Sequence, residues 1–244
     1  MPTFLITGAA SGIGLATAHR LAADGADRLI LVDRDATALA AITLPCTLDL
    51  LPGDVADEAF WENSAPYLAG LTHAVVNAGV AGAGVIADLA FAEWRRILSV
   101  NLDGAFLTMR AALRAMTDGG AIVAVASAAG LKAEPGVAAY GASKAGLLHL
   151  VKVAAKEAAP RRIRVNAIAP AGVETPVWNA VPMFADRAAA IGRDAAFTEL
   201  AAMATPLGRY AKADEIAGQV AFLLSDAAAL ITGATLVSDG GYTL

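Results

Sequence analysis

The sequence predicts an α/β protein with a doubly wound parallel sheet and helices on both of its faces. Short apolar runs alternate with helix-length segments along the whole chain, which is the order expected when a crossover helix follows each strand. The predicted strands are almost unbroken in hydrophobicity, as are strands that are buried on both faces. Neither an internal repeat nor a linker-like stretch interrupts the alternation. We therefore predict a single α/β domain over residues 1–244.

Each element is predicted from the period of its apolar residues. Strands are expected at residues 3–7, 28–32, 74–77, 121–126, 163–168 and 235–237. Helices are expected at residues 13–24, 35–42, 56–68, 91–116, 141–159 and 214–225.

Two segments are less regular. A further strand is expected somewhere in residues 46–55, but Pro52 and Gly53 interrupt the apolar run and leave its bounds open. Residues 175–209 form a long insertion before the last predicted helix. A segment of this length is either a lid or a binding loop, or it contains elements that the pattern does not reveal.

Composition and charge exclude several classes of protein. Hydrophobic residues make up 57% of the chain and charged residues 17%, which excludes disorder. The sequence has no run of 18 apolar residues, and residues 1–4 lead into a strand rather than a signal peptide. The single cysteine, Cys46, cannot form an intrachain disulfide. We expect a cytoplasmic protein that does not bind membranes.

Nucleic-acid and metal binding are not expected either. The net charge of −5 disfavours nucleic acid, and we expect the short basic run at residues 161–164 to solvate a helix end and a strand entry. The three histidines are scattered, with no carboxylate or cysteine at metal-ligand spacing. We therefore predict no metal.

A glycine-rich turn joins the first predicted strand to the first helix. The turn runs from Thr7 through Gly-Ala-Ala-Ser-Gly-Ile to Gly14, with the spacing G-x-x-x-G-x-G. Its first two glycines permit backbone angles and close approach that a Cβ would block, and the third lets the helix pack closely on the strand. A helix N-terminus attracts anions. The pattern predicts a site for a dinucleotide pyrophosphate, formed by Gly8, Ser11, Gly12, Ile13 and Gly14.

The residues after the second strand indicate which dinucleotide binds. Asp33 can accept hydrogen bonds from the adenosine ribose hydroxyls and would repel a 2′-phosphate. An alternative is that Asp33 only caps a turn. Arg34 could instead attract the phosphate of NADP, but Ser11, rather than a cation, precedes Gly12. We predict NAD(H) as the cofactor, and whether Arg34 allows some use of NADP stays open.

Four more motifs follow in order: Asn77-Ala78-Gly79, Asn101 between Val and Leu, Ser127 after the fifth strand, and Tyr140-Gly-Ala-Ser-Lys144. Together with the glycine turn they resemble the short-chain dehydrogenase/reductase family over nearly the whole chain. The resemblance implies a Rossmann fold with seven parallel strands. It also implies a homotetramer assembled through the helices that carry Asn101 and Tyr140.

The resemblance implies a catalytic set of Asn101, Ser127, Tyr140 and Lys144. Tyr140 and Lys144 lie at positions i and i+4 of a helix, on one face. A neighbouring ammonium, together with a positive nicotinamide, should lower the pKa of the Tyr140 phenol, which then transfers the proton. By resemblance, Ser127 binds the substrate oxygen and Lys144 also binds the nicotinamide ribose. Asn101 kinks its helix and holds a water that connects Lys144 to solvent.

Further cofactor contacts are also carried over from the family. They comprise Asp54 and Val55 at the adenine, Asn77, Ala78 and Gly79 beneath the adenosine ribose, and Pro170, Val173 and Thr175 at the nicotinamide. Asp49 competes with Asp54 for the adenine amino group. The family usually has glycine directly after this proline, whereas this chain has Ala171 and then Gly172, so the local backbone path is in doubt. Residues 238–241 resemble the family's C-terminal turn, which implies subunit contacts.

The substrate pocket is expected beside Ser127 and Tyr140. Its predicted walls are Ala129, Leu131, Val137 and Gly172, with the insertion contributing Trp178, Val181, Met183, Phe184, Ile191, Phe197 and Met203. If these side chains form an apolar lid, the substrate is a cyclic or aryl secondary alcohol or a diol, without a phosphate or carboxylate. Alternatively, they only pack the insertion onto the body or across an interface.

Two other functions fit parts of the pattern. A 3-oxoacyl-[acyl-carrier-protein] reductase would have the same fold and catalytic residues, although Asp33 opposes its usual preference for NADPH. A nucleotide-sensing regulatory protein with a silent site is the alternative outside enzymes. The intact set of four catalytic residues opposes it, since a sensor has no need of a base beside a nicotinamide.

Overall fold

The computed structural model describes residues 2–244, so Met1 and part of the expectation for residues 1–4 lie outside it. It confirms the α/β fold with a seven-stranded sheet in the order β3-β2-β1-β4-β5-β6-β7, in which all neighbouring strands are parallel. The strands are β1 (Thr3–Thr7), β2 (Arg28–Asp33), β3 (Thr47–Pro52), β4 (His73–Val76), β5 (Ala121–Val125), β6 (Arg164–Pro170) and β7 (Thr235–Ser238). The α-helices are α1 (Gly12–Ala23), α2 (Ala36–Ala40), α3 (Glu58–Ser64), α4 (Phe91–Leu98), α5 (Gly104–Ala115), α6 (Ala138–Ala158), α7 (Pro182–Ile191), α8 (Arg193–Ala204) and α9 (Ala213–Leu224).

Helices cover both faces of the sheet, as the continuous apolar strands predict. Successive residues of β2 alternate between two cores: Ile30 packs with side chains of α3, α5 and α6, whereas Leu29 packs with those of α1, α2 and α9. Both side chains are fully buried. Because side chains alternate across a strand, a strand covered on both sides has no polar face. Among residues 2–244, no helix has the length and apolar character needed to cross a bilayer.

The strand that was expected somewhere in residues 46–55 is β3, and it lies at the edge of the sheet. It pairs only with β2, and Pro52 is its last residue. An edge strand tolerates proline because one side of its backbone has no partner to bond. Asp49 lies within β3 and pairs with Arg28 at the start of β2.

The helix predicted at residues 91–116 is divided. A π-helical turn at Ser99–Asp103 separates α4 from α5, and Asn101 lies inside it. A π turn inserts an extra residue into the helical ladder and so changes the direction of the side chains around it. The insertion at residues 175–209 contains a 3₁₀ turn at Pro176–Ala180 followed by α7 and α8, so the pattern-based assignment was incomplete there.

The order of the strands creates a crevice between β1 and β4. The chain leaves β1 toward β2 on one side and later returns to β4 on the other, so the connections diverge at this point. In open α/β sheets, ligands bind outside the carboxyl ends of the strands at such a switch point. The glycine turn, Asn77 and Ser127 follow the carboxyl ends of strands at this edge, and Asp33 is the last residue of β2.

Replacing Gly14 by alanine should destabilise the fold. A Cβ at Gly14 would lie 2.1 Å from the Gly8 carbonyl oxygen and 2.7 Å from Asn77 Nδ2, so the helix must move away from the turn. We expect Gly14→Ala to cost about 1–3 kcal/mol, the usual range for overpacking. Thermal unfolding at equal protein concentration measures the effect.

Gly218→Ala is the matched control, because Gly218 also lies inside an α-helix and the nearest atom to its Cβ would be the mobile end of Arg20, at 3.4 Å. That variant should be neutral or up to about 1 kcal/mol more stable, since alanine is the better helix former. Equal unfolding temperatures for the two variants would contradict the role assigned to Gly14.

Candidate active site

A cavity of about 860 Å³ runs along the carboxyl edge of the sheet. It brings together most of the residues predicted to bind cofactor or substrate, namely Gly8, Ser11, Gly12, Ile13, Asp33, Arg34, Asp54, Val55, Asn77, Ala78, Gly79, Ser127, Ala129, Val137, Tyr140, Lys144, Pro170, Gly172, Val173, Thr175 and Trp178. Six predicted residues are not among those that line it, namely Gly14, Asn101, Leu131, Phe184, Ile191 and Phe197.

The glycine turn leaves backbone N–H groups facing the cavity. Gly8 and Gly12 have positive φ angles of 64° and 54°, a region that favours glycine. The Ser11 side chain makes no capping hydrogen bond, and the first turn of α1 has no acidic residue. The first N–H groups of a helix have no partner within it. This end of the cavity is therefore suited to an anion such as a diphosphate.

Asp33 is held in place by two backbone groups. Its carboxylate accepts hydrogen bonds from Ala10 N at 2.9 Å and from Asp35 N at 3.0 Å. It is half-buried and lines the cavity, whereas the neighbouring Arg34 is exposed. The bond from Asp35 N is the turn-capping contact that the alternative interpretation of Asp33 expected. The bond from Ala10 N fixes the carboxylate beside the glycine turn.

Asn77 ties β4 to the glycine turn. Its side-chain amide donates to the carbonyl oxygens of Thr7 at 2.9 Å and Gly8 at 3.1 Å. In return, the Thr7 hydroxyl accepts from the backbone N–H groups of Asn77 at 3.1 Å and Ala78 at 3.2 Å. Thr7 was not among the predicted site residues. Its position as the last residue of β1, just before the glycine turn, is the signal that could have identified it.

The structure distinguishes the two aspartates that competed for the adenine position. Asp54 lines the cavity beside Val55, and one of its carboxylate oxygens accepts from Ala56 N at 2.9 Å. Asp49 is paired with Arg28 and does not line the cavity. Asp54 is therefore the acid that can reach a ligand.

Tyr140, Ser127 and Lys144 meet at the same part of the cavity. Tyr140 and Lys144 both lie on α6 with the expected i, i+4 spacing. Lys144 Nζ lies 5.8 Å from the centre of the Tyr140 ring and donates to the Val125 carbonyl oxygen at 2.9 Å. The Ser127 hydroxyl oxygen accepts from Ala129 N at 3.2 Å, and the same hydroxyl makes a hydrogen bond with Tyr140.

Burial determines the direction of the pKa shifts of both Tyr140 and Lys144. Burial raises the pKa of Tyr140 above its ordinary value, and a hydrogen bond with Ser127 opposes this only in part. Burial also lowers the pKa of Lys144 to about 8, because a poorly solvated ammonium is disfavoured. In the chain alone, Lys144 therefore does not bring the phenol toward neutral pH.

Asn101 does not line the cavity but holds the structure behind it. Its side chain accepts from Val80 N at 2.8 Å and donates to the Val80 carbonyl at 3.0 Å and to Ser143 Oγ at 3.2 Å. Ser143 in turn donates to the Tyr140 carbonyl at 2.7 Å. Ser143 is fully buried and was not singled out from the sequence, although its place one residue before Lys144 offered a signal.

Packing against Tyr210 requires glycine at position 172. A Cβ at Gly172 would lie 2.2 Å from the Tyr210 ring, so only glycine permits this contact. Gly172 and Val173 are paired with Ala211, through an Ala211 N to Gly172 O hydrogen bond of 3.0 Å and a β-bridge. The glycine is thus displaced by one residue, and Val173 and Thr175 still line the cavity.

Some apolar side chains of the insertion line the cavity, and others pack against one another. Trp178, Val181, Met183 and Met203 line the cavity. Phe184 and Phe197 are instead buried in a small cluster with Trp178 and Tyr210, with their ring centres 4.4 Å apart. Ile191 does not line the cavity, and Leu131 is half-exposed outside it. The insertion thus contributes side chains both to the cavity wall and to its own packing, and Leu131 does not line the cavity.

Three polar residues that the sequence analysis missed also line the cavity. They are Lys132, Glu134 and Tyr242, of which Tyr242 directly follows the C-terminal turn that was assigned to subunit contacts. Nothing in a helical or strand period marks a loop lysine or a terminal tyrosine. Among residues 2–244, no group of three or more His, Cys, Asp or Glu side chains is arranged to hold a metal ion.

The residues present fit a dinucleotide cofactor. The open N-terminus of α1 suits a diphosphate, and the fixed carboxylate of Asp33 suits a ribose diol. The cavity is continuous from these residues to Tyr140 and Lys144.

Comparison with known proteins places this site in a family. A family profile described as Enoyl-(Acyl carrier protein) reductase matches residues 8–243. The cis-4-hydroxycyclohexanecarboxylate dehydrogenase of Sinomonas cyclohexanicum is 37% identical over 98% of this chain and 95% of its own length. The D-threitol dehydrogenase of Mycolicibacterium smegmatis is 40% identical, covering 98% and 92%. The 3-oxoacyl-[acyl-carrier-protein] reductase FabG of Thermotoga maritima is 34% identical, covering 98% and 97%.

Solved structures agree with this placement. Levodione reductase superposes with a TM-score of 0.88 and 33% identity, over 99% of this chain and 97% of that one. The chain therefore belongs to the short-chain dehydrogenase/reductase family and is an oxidoreductase that acts on CH–OH groups.

Proposed function

We propose that the protein is an NAD(H)-dependent dehydrogenase that interconverts a small secondary alcohol or diol and its ketone. The observation that carries the proposal is a single cavity with the Asp33 carboxylate at one part and the Ser127, Tyr140 and Lys144 side chains at another. The first is suited to the adenosine ribose, and the others are suited to proton transfer.

Each residue has a distinct part in the proposed reaction. Ser127 donates a hydrogen bond to the substrate oxygen, since its own oxygen already accepts from Ala129 N. Tyr140 takes the hydroxyl proton during oxidation and returns it during reduction. Asn101 and Ser143 act through hydrogen bonds that hold α6 in position. When bound, nicotinamide supplies the hydride acceptor or donor and, in its oxidised form, a positive charge that favours the phenolate.

The preference for NAD(H) rests on Asp33. Two backbone hydrogen bonds hold its carboxylate in one orientation, so it cannot turn away from a 2′-phosphate without losing them. Arg34 is exposed, and an exposed charge contributes little free energy. Repulsion by Asp33 should therefore outweigh attraction by Arg34.

The proposed substrate is small, with an apolar body. Trp178, Val181, Met183 and Met203 from the insertion supply an apolar wall, and we propose that residues 175–209 serve as a lid. Relatives named for cis-4-hydroxycyclohexanecarboxylate and for D-threitol support a cyclic alcohol or a diol, although the first of these two substrates carries a carboxylate. We further propose a cytoplasmic location, consistent with the single cysteine.

A 3-oxoacyl-[acyl-carrier-protein] reductase is the second candidate. The relative from Thermotoga maritima favours it. A 3-oxoacyl thioester with NADPH would then be the better pair of substrates. The cofactor comparison described below separates this candidate from the first.

We also propose a homotetramer that uses α5 and α6 as one interface. Phe106 on α5 and Val153 on α6 are large apolar residues exposed by 46% and 38%. Exposed apolar side chains on adjacent helices are typical of subunit contacts.

Tyr140→Phe should lower kcat/KM for secondary alcohols by about 10²–10⁴-fold, because it removes the proton-transfer group. NADH binding, followed by cofactor fluorescence, should persist. Tyr67→Phe is the matched control, since Tyr67 is exposed and lies outside the cavity. Full turnover by Tyr140→Phe would contradict the mechanism. If a biological effect also persisted, the nucleotide-sensing alternative would be favoured.

Asp33→Asn should lower the ratio of kcat/KM with NAD⁺ to that with NADP⁺ by at least about tenfold, or about 1.4 kcal/mol. The substitution removes the charge that repels the 2′-phosphate. Asp35→Asn is the control, because Asp35 is exposed and only caps α2. A wild-type enzyme that already prefers NADP⁺ would favour the acyl-carrier-protein reductase.

Sedimentation velocity should give a species of about four times the chain mass of 24.6 kDa. Phe106→Glu should produce smaller species, since it places a charge in the proposed contact. Tyr67→Glu, another exposed aromatic residue, should leave the tetramer intact. A monomeric wild-type protein would rule out the proposed assembly.

A further inference from the structure

A polar cluster lines the cavity a few residues beyond Ser127. Lys132 and Glu134 lie on the loop that leads into α6, and Tyr242 lies near the C-terminus. None of the three has a part in the proton transfer proposed above. The catalytic Tyr140 lines the same cavity, so a substrate bound there can extend toward the cluster.

The three residues form one connected unit. Lys132 Nζ donates to the Tyr242 carbonyl oxygen at 2.9 Å, and it lies 3.5 Å from a carboxylate oxygen of Glu134. It also lies 4.4 Å from the centre of the Tyr242 ring. An ammonium has three N–H donors and a carboxylate has two acceptor oxygens. Donors and acceptors therefore remain for a ligand.

The C-terminal segment that carries Tyr242 is folded against the body. Asp239 accepts hydrogen bonds from Gly241 N at 2.9 Å, from Thr243 N at 2.8 Å and from the Thr243 hydroxyl at 2.6 Å. Leu207 N also donates to the Gly240 carbonyl oxygen at 3.0 Å. These bonds fix the turn, so Tyr242 has a defined place at the cavity.

The balance of charge in the cluster indicates the ligand that it would bind. Lys132 and Glu134 carry opposite charges and are each about two-fifths exposed. A carboxylate attracted by Lys132 would be repelled by Glu134 beside it. A hydroxyl can accept from the ammonium and donate to the carboxylate at the same time. Burial and a hydrogen bond with Glu134 raise the pKa of Tyr242 to about 12, so its phenol stays protonated and donates its one O–H to that carboxylate.

We propose that Lys132, Glu134 and Tyr242 form a subsite for a second, uncharged hydroxyl group of the substrate. The inference rests on the proposed alcohol dehydrogenase activity and narrows its substrate class to diols and polyols. The apolar wall of the insertion then holds the carbon skeleton, while this cluster binds a hydroxyl away from the reacting carbon.

The test uses alcohols that share one ring and differ in one substituent. Cyclohexanol, the 1,2-, 1,3- and 1,4-cyclohexanediols and 4-hydroxycyclohexanecarboxylate are compared by kcat/KM with NAD⁺. In the wild type we expect at least one diol to exceed cyclohexanol by about tenfold, the effect of one hydrogen bond to a charged group. The carboxylate should be the poorest of the set.

Two variants separate the contributions of the two charges. Lys132→Met should lower the diol-to-cyclohexanol ratio by about tenfold. Glu134→Gln should raise the carboxylate-to-cyclohexanol ratio by about tenfold, because it removes the repulsion and leaves the ammonium. Glu62→Gln is the matched control, since Glu62 is exposed on α3 outside the cavity, and it should leave both ratios unchanged.

The possible failures are distinguishable. Good turnover of cyclohexanol with no preference for any diol would overturn the subsite and leave the dehydrogenase proposal standing. A wild-type preference for the carboxylate would overturn it too, since Lys132 alone would then select the substrate. Absence of turnover on every ring alcohol, despite NADH binding, would instead count against the proposed function itself.

Discussion

The contact between the glycine turn and the end of β4 is the constraint on which the cavity depends. Gly14 brings α1 so close to the Gly8 carbonyl that no side chain fits between them. The Asn77 amide then bonds the carbonyl oxygens of Thr7 and Gly8. Without these contacts, β1 and β4 could still pair, but the helix N-terminus and the end of β4 would not face one crevice. The anion site and the floor of the cavity therefore come from one set of contacts between the glycine turn and Asn77.

Most of the fold could be predicted because its signals are local. A strand buried on both faces is continuously apolar, and a turn that needs positive φ contains glycine, as at Gly8 and Gly12. The π turn around Asn101 and the helices α7 and α8 could not be predicted in this way. The first depends on tertiary bonds from Asn101 to Val80 and Ser143. The helices α7 and α8 depend on the aromatic cluster around Phe184 and Phe197. The contacts of this cluster come from tertiary packing and leave no regular period of apolar residues in the sequence.

The residues of the candidate site also differ in whether local sequence signals or tertiary contacts determine their positions. Residues that follow the ends of strands, such as Asp33 and Ser127, were predictable because parallel strands end at one edge. Lys132, Glu134 and Tyr242 were not, because a loop and the C-terminal turn meet only through tertiary contacts. The sequence pattern therefore indicated the reaction better than the substrate. The apolar residues of the insertion supported an uncharged substrate, but the polar cluster joins Lys132 to Tyr242, which lies 110 residues further along the chain.

The i, i+4 spacing of Tyr140 and Lys144 predicts the positions of their side chains but not their pKa values. Their i, i+4 separation places them on one face of α6, and Ser143 and Asn101 hold that helix from behind. The same burial that fixes this geometry disfavours both charged forms, raising the pKa of Tyr140 and lowering that of Lys144 to about 8. One N–H group of the Lys144 ammonium also donates a hydrogen bond to the Val125 carbonyl oxygen. The chain by itself thus prepares the positions of the reacting groups but not their charge. A positive charge bound beside Tyr140 would favour the phenolate and would couple proton transfer to an occupied cofactor site.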